Sequence, residues 1–100
     1  MVVFNTTYIV GFEVHDAWLQ WISSLHIPAM LKTASFKDPR LFKVLDDEKY
    51  GVTYSLKFLS PDIASVLSWR EKHEDERYAD LQETFGDSVM AFSTILEEIK

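Results

Sequence analysis

Two strand-helix-strand units run in succession along this chain, joined at its middle by a tight hairpin, and no other feature limits its fold as strongly. Between Val2 and Phe12 the side chains alternate, with Val2, Phe4, Thr6, Tyr8, Val10 and Phe12 on one side and Val3, Asn5, Thr7, Ile9 and Gly11 on the other. That is the two-residue period of a strand with one strongly apolar face. From Val14 the period changes: Val14, Ala17, Trp18, Trp21, Ile22 and Leu25 recur at the three- and four-residue spacing of an amphipathic helix. This helix is expected to stop near His26 or Ile27, because a proline pushes the residue before it out of the α region. Pro28 then opens a short second turn to about Lys32.

The second half repeats the order. Phe36 to Leu45 reads as a strand whose Pro39 removes a ladder donor, which places it at a sheet edge or a bulge. Asp46 to Gly51 forms the hairpin connection, with Gly51 free to take a positive φ. Val52 to Leu59 is a third strand, with Val52, Tyr54, Leu56 and Phe58 on one face and Thr53, Ser55, Lys57 and Leu59 on the other. Ser60-Pro61-Asp62 supplies a cap, a proline at the first helical position and an acid in the first turn of a helix that runs to Phe85 and stops at Gly86. Its apolar stripe reads Ile63, Leu67, Tyr78, Leu81 and Phe85, interrupted by Arg70, Glu71 and Glu74. The charged run from Glu71 to Arg77 is either a solvated surface or kink, or the overhang of a cleft or subunit boundary. Trp69 falls opposite Leu67 on this wheel, and so is expected to be exposed or covered by a partner. Val89 to Ile99 is the fourth strand.

The order β-α-β-β-α-β implies a single ferredoxin-like α+β domain over residues 1–100: a four-stranded antiparallel sheet with two helices on one face. Its first and third strands are central neighbours, which puts Phe4, Tyr8, Tyr54 and Phe58 under the helices.

Composition narrows the functions such a domain can perform. With 16 acidic against 10 basic residues the formal charge is −6, so phosphate neutralisation is not available globally and nucleic acid is not an expected partner. The chain has no cysteine, which removes disulfides, thiolate nucleophiles and cysteine-ligated metals. No apolar run approaches the roughly 20 residues that span a bilayer, and no basic residue precedes the apolar start, so the expected location is cytoplasmic, with no membrane contact. Hydrophobic residues make up 47% of the chain and aromatics 14%; that excess, with a half-polar, half-apolar outer sheet face, points to a homodimer.

Several short segments together carry a family resemblance. They are Asn5-Thr6-Thr7, Trp18-Leu19-Gln20-Trp21 followed by His26-Ile27-Pro28, Gly51-Val52-Thr53-Tyr54-Ser55, Phe85-Gly86-Asp87 and Ala91-Phe92. The chain resembles a family of short bacterial proteins classed as a domain of unknown function, itself similar to the dimeric α+β barrel superfamily. That resemblance implies two sheets packed face to face in a dimer. Relatives of the fold include cofactor-independent monooxygenases, isomerases and mutarotases, as well as proteins with no known activity, and fold similarity alone does not choose among them.

The residues that could carry chemistry are few. His26 lies at the margin of the first helical stripe, close to His15 on the wheel. A helix C-terminus favours an imidazolium, a structural reason for a histidine there; its titration near neutral pH is a functional one. His15 and His26 stand about three turns apart, too far to share a metal ion, and no metal site is expected. No cofactor is expected either, since there is no glycine-rich phosphate loop and no nucleophile elbow. A buried tyrosine needs a partner for its hydroxyl, and His26 is a candidate for Tyr8 or Tyr54. The expected site is a small-molecule cleft between the sheet and the first helix, lined by Tyr8, His26 and Tyr54. The alternatives are an enzyme with His26 as its catalytic acid-base group, and a non-catalytic interaction module using Trp69 and the acidic second helix.

Overall fold

A computed structural model of the chain describes residues 1–46 and 49–100. Four strands, β1 (Val2–Val10), β2 (Lys37–Lys43), β3 (Val52–Ser60) and β4 (Val89–Glu97), form one antiparallel sheet in the order β2-β3-β1-β4. Helices α1 (His15–Trp21) and α2 (Ile27–Leu31) lie between β1 and β2, and α3 (Ile63–Trp69) and α4 (Asp75–Phe85) between β3 and β4. This is the ferredoxin-like α+β arrangement expected from the order of elements. The apolar face of the sheet is the expected one: Phe4, Tyr8 and Val10 of β1 sit opposite Phe58, Tyr54 and Val52 of β3, and all six are buried. β2 is an edge strand, and its pairing with β3 slips between Lys37 and Arg40, around Pro39. The bulge absorbs the missing donor, and Asp38 takes a left-handed φ of 53° beside it.

Glycine is required at two turns. Gly51 has φ 155°, and a Cβ there would run into the Val10 carbonyl. Gly86 ends α4 with φ 55°, the stop expected of it. Two residues of the expected hairpin between Asp46 and Gly51, Asp47 and Glu48, lie outside the described residues. Among the described residues no helix is long and apolar enough to cross a membrane.

The helices depart from expectation in one shared way. The first does not stop at His26. A π-turn, Ile22–His26, joins α1 to α2 without a break, and the Ile27 N–H donates to the Ile22 carbonyl five residues back. Pro28 lacks a donor, and the widened turn carries the chain past it inside a continuous helical rod. A second π-turn, Arg70–Glu74, joins α3 to α4 in the same manner. The second rod is capped by Asp62, whose carboxylate accepts from the Ser65 N–H at 2.8 Å, so the cap is Asp62 and not the expected Ser60.

Each π-turn inserts a residue and so rotates the following helix against the preceding one by about 100°. On an uninterrupted helix Trp69 and Leu81, 12 residues apart, lie about 120° apart; with one residue absorbed they come within about 20°. The expected placement of Trp69 is therefore corrected. It is 4% exposed and packs edge-on against Phe4 and Phe36 at 5.2 and 5.1 Å, while Ile63, Leu67 and Tyr78 of the expected stripe are about half exposed. The buried face of the second rod is Val66, Trp69 and Leu81, with Phe85 packed at its margin.

Candidate functional site

The π-turn in the first rod settles where His26 points. Trp18 and His26, eight residues apart, would lie about 80° apart on a regular helix and lie within about 20° with one residue absorbed. His26 thus moves from the margin of the stripe to the buried face, in line with Trp18, Ile22 and Met30. Its ring stacks on Trp21 with centroids 4.9 Å apart and planes inclined by 20°. His26 Nε2 lies 3.3 Å from the Tyr8 hydroxyl, and Nδ1 lies 3.4 Å from Arg77 Nη1. Arg77 Nη2 donates to Asp80 Oδ2 at 3.0 Å, and the Trp21 indole N–H donates to the same oxygen at 3.3 Å. The second rod therefore holds the first through one carboxylate.

Tyr8, Trp21, His26 and Arg77 border a cavity of about 330 Å³ between the β1–β4 half of the sheet and the two helical rods. That is the lower end of the range for small-molecule sites. Thr6, Tyr8 and Ser93 form its floor, Trp21, His26 and Met30 one wall, and Trp69, Arg77 and Leu81 the other. Arg70, Glu74 and Asp75 also border it, so the charged run overhangs a cavity. Arg70 Nε contacts Glu74 Oε2 at 3.3 Å, which leaves each arginine at the cavity tied to a carboxylate of its own helix. Both π-turns contribute to the lining, in keeping with the frequent placement of such turns at functional sites.

Burial sets the protonation states. The imidazole of His26, shielded from water and facing the Arg77 guanidinium, is pushed down to a pKa of about 4, with Asp80 opposing the shift. It is neutral at physiological pH. Burial also raises the Tyr8 hydroxyl, against a smaller opposing effect of Arg77, so Tyr8 is a neutral phenol.

Of the three residues expected to meet in the cleft, the structure brings together Tyr8 and His26. It does not bring Tyr54 to them. Tyr54 faces His15, whose Nε2 lies 2.7 Å from its hydroxyl and whose ring stacks on it at 5.7 Å, and Tyr54 does not border the cavity. Each buried tyrosine of the sheet thus has its own histidine, and the shift at residues 22–26 decides which tyrosine His26 meets. The sequence pointed to Trp69 only as a partner-facing residue of an interaction module, and to Arg77 and Asp80 as no part of a site. The charged break in the apolar stripe was the one signal of them, but its phase relative to Trp69 depends on the second π-turn. Among the described residues no group of three or more histidine, aspartate or glutamate side chains is placed to hold a metal ion.

The family described as domain of unknown function DUF4286 matches residues 1–99, and the chain belongs to that family. No curated protein sequence matches it. Among solved structures it is similar to HapK from Hahella chejuensis, with a TM-score of 0.73 and 13% identity over 99% of this chain and 93% of that one. It is similar at TM-score 0.72 to a protein of the ethyl tert-butyl ether (EthD) family from Bacillus halodurans, 16% identical over 99% of this chain and all of that one. A protein from Deinococcus radiodurans named for antibiotic biosynthesis monooxygenase activity matches at TM-score 0.72 and 13% identity, over 100% of this chain and 94% of that one. At these identities the likeness is one of fold.

Proposed function

We propose that this DUF4286 protein binds a small, largely apolar molecule in the cavity between its sheet and its helical rods, with Tyr8 and His26 as the polar groups that orient it. The observation that supports this reading is the convergence of a buried, hydrogen-bonded Tyr8–His26 pair on a cavity of about 330 Å³ whose lining joins the aromatic and aliphatic side chains of Phe4, Trp21, Met30, Trp69 and Leu81 to the charged groups of Arg70, Glu74, Asp75 and Arg77. Apolar walls with a few placed polar groups are the general make-up of a small-molecule site. The test is a thermal-shift screen of small aromatic and alicyclic compounds against the wild-type chain and Ser93→Phe. Ser93 lies half-buried on the cavity floor, so the phenyl ring fills the space without opening the core. Compounds that stabilise the wild type should leave Ser93→Phe unmoved. Equal stabilisation of both would refute the reading.

The partner belonging to this reading is a second copy of the chain across the outer sheet face. That face carries the half-exposed Phe42, Met90, Phe92 and Leu96 around a polar centre in which Lys57 Nζ donates to Asn5 Oδ1 at 3.0 Å and Ser55 Oγ at 2.9 Å. Four strands about 4.8 Å apart and roughly 30 Å long present on the order of 600 Å² per copy, hence about 1,200 Å² for a pair, the lower bound of a specific interface.

A second reading, a cofactor-independent monooxygenase or isomerase working in the same cavity, draws support from the name of the Deinococcus neighbour and from the Tyr8–His26 pair. Incubation of a bound compound with stoichiometric protein separates the two. Recovery of the compound unchanged supports binding alone, and conversion that is lost in Tyr8→Phe supports the enzyme.

A further inference from the structure

The hydrogen bonds at the cavity floor run in one direction. A guanidinium has only donors, so Arg77 Nη1, 3.4 Å from His26 Nδ1, makes Nδ1 an acceptor. A neutral imidazole that accepts at Nδ1 carries its proton on Nε2, and Nε2 is the atom facing the Tyr8 hydroxyl at 3.3 Å. The tyrosine oxygen therefore accepts this bond, and its own proton is left over. Among the described residues no acceptor receives that proton, although Tyr8 is 2% exposed. Native structures rarely leave a buried donor unused. Two residues along β1 the pattern recurs: the Thr6 and Ser93 hydroxyls are 2.9 Å apart, one donates to the other, and one proton again remains. Tyr8, Thr6 and Ser93 all border the cavity.

We infer that Arg77, His26 and Tyr8 form a polarised donor chain that ends in the cavity at the Tyr8 hydroxyl proton, so that the ligand is held through an acceptor oxygen, a ketone or aldehyde carbonyl on a flat apolar body. The inference rests on the cavity reading above and adds the chemistry of what enters it. Two features narrow the class further. Arg70 and Arg77 are each bound to a carboxylate of their own helix, so the cavity offers no unpaired guanidinium to a carboxylate or phosphate ligand. The rings of Phe4, Trp21, Trp69 and Tyr78 border the space and favour a flat body over a branched one. In this arrangement Tyr8 touches the ligand, and His26 is a positioning residue whose tautomer Arg77 sets.

Two measurements test it. The first is the tautomer of His26, read from the 15N shifts of histidine-labelled protein at pH 7 and assigned with His26→Gln against the other two histidines, His15 and His73. The expected result is a neutral ring protonated at Nε2. A ring protonated at Nδ1, or a cationic one, overturns the chain whether or not any ligand is found. The second uses two probes of nearly equal shape, 2-acetylnaphthalene and 2-ethylnaphthalene, in equilibrium dialysis with the wild type and Tyr8→Phe. The ketone should bind the wild type about tenfold more tightly, the worth of one hydrogen bond from a preorganised donor. In Tyr8→Phe the ratio should fall to about one, with the hydrocarbon unchanged. Binding of both probes with no preference in the wild type overturns the donor chain and leaves the cavity reading standing. Binding of neither overturns the cavity reading, and the tautomer then decides the chain alone.

Discussion

Removing the indole of Trp69 is the sharpest test of how the second helical rod is set. An uninterrupted helix over 63–85 makes Trp69→Ala a surface change, whereas the π-turn at Arg70–Glu74 makes it a core deletion. A buried tryptophan removes roughly 200 Å² from water, which at about 25 cal/mol per Å² is about 5 kcal/mol. The alanine that replaces it recovers part of this, and the edge-on contacts with Phe4 at 5.2 Å and Phe36 at 5.1 Å are lost. Because Trp69 also borders the cavity, the new void joins an existing one and water can enter it, which tempers the cavity contribution. The net expectation is about 4 kcal/mol, within the usual span for this substitution and a large share of the roughly 5–15 kcal/mol that a domain possesses. Leu67→Ala, two residues earlier and 49% exposed, should cost about 0.5 kcal/mol or less. Urea unfolding followed by circular dichroism measures both without relying on the deleted fluorophore. A cost below about 1 kcal/mol for Trp69→Ala, or a larger cost for Leu67→Ala, would show that the rod is regular and the rotation wrong.

Acid should weaken the fold through His26. Its folded pKa of about 4 lies below the unfolded value near 6.5, so the stability it contributes is complete above pH 6.5 and is lost as pH falls towards 4. The difference of about 2.5 units corresponds to roughly 3 kcal/mol. Tyr8, Trp21, Arg77 and Asp80 are the groups facing the ring, and of these Asp80 opposes the effect. In His26→Gln the slope of unfolding free energy between pH 6.5 and 4 should flatten by that amount, and an unchanged slope would show that the ring is open to water. Gly51→Ala, with φ 155° and the Val10 carbonyl in the way of a Cβ, should destabilise by about 2 kcal/mol in the same urea assay; a neutral result would mean the hairpin shifts at no cost. Met90→Glu, on the outer sheet face and 61% exposed, should convert a dimer to monomer in sedimentation equilibrium while leaving monomer unfolding almost unchanged. Sedimentation of the wild type as a monomer at high micromolar concentration would remove the dimer.

The sheet was legible from residue order because a strand's period is two and leaves little room for error. Once Phe4, Tyr8, Tyr54 and Phe58 fall at two-residue spacing with the other apolar positions of their strands, their shared face follows, and the antiparallel register pairs Phe4 with Phe58 and Tyr8 with Tyr54. Pro39 at an edge bulge and Gly86 at a helix end were readable for a similar reason, since each reflects a property of one residue's own backbone. The Tyr8–His26 contact was readable only as one of two pairings, because it depends on which way a helix is turned.

The amino-acid sequence by itself determined the elements, their order, the buried face of the sheet and the need for hydroxyl partners at its tyrosines. Only the tertiary structure decided that His26 meets Tyr8, that His15 meets Tyr54, and that Trp69 and Arg77 close a cavity over β1 and β4. The pairing of His26 with Tyr8 and the closing of the cavity by Trp69 and Arg77 each depend on one inserted residue in a helical rod. A π-turn gives up regular i→i−4 bonding, and no local pattern of side chains requires it; it persists where packing on both sides of the turn is better satisfied with the following helix rotated by about 100°. In the first rod that packing aligns Trp18, Ile22, His26 and Met30, and in the second Val66, Trp69 and Leu81. The rotation is a property of two helices fitted to one sheet, and neither helix carries it alone.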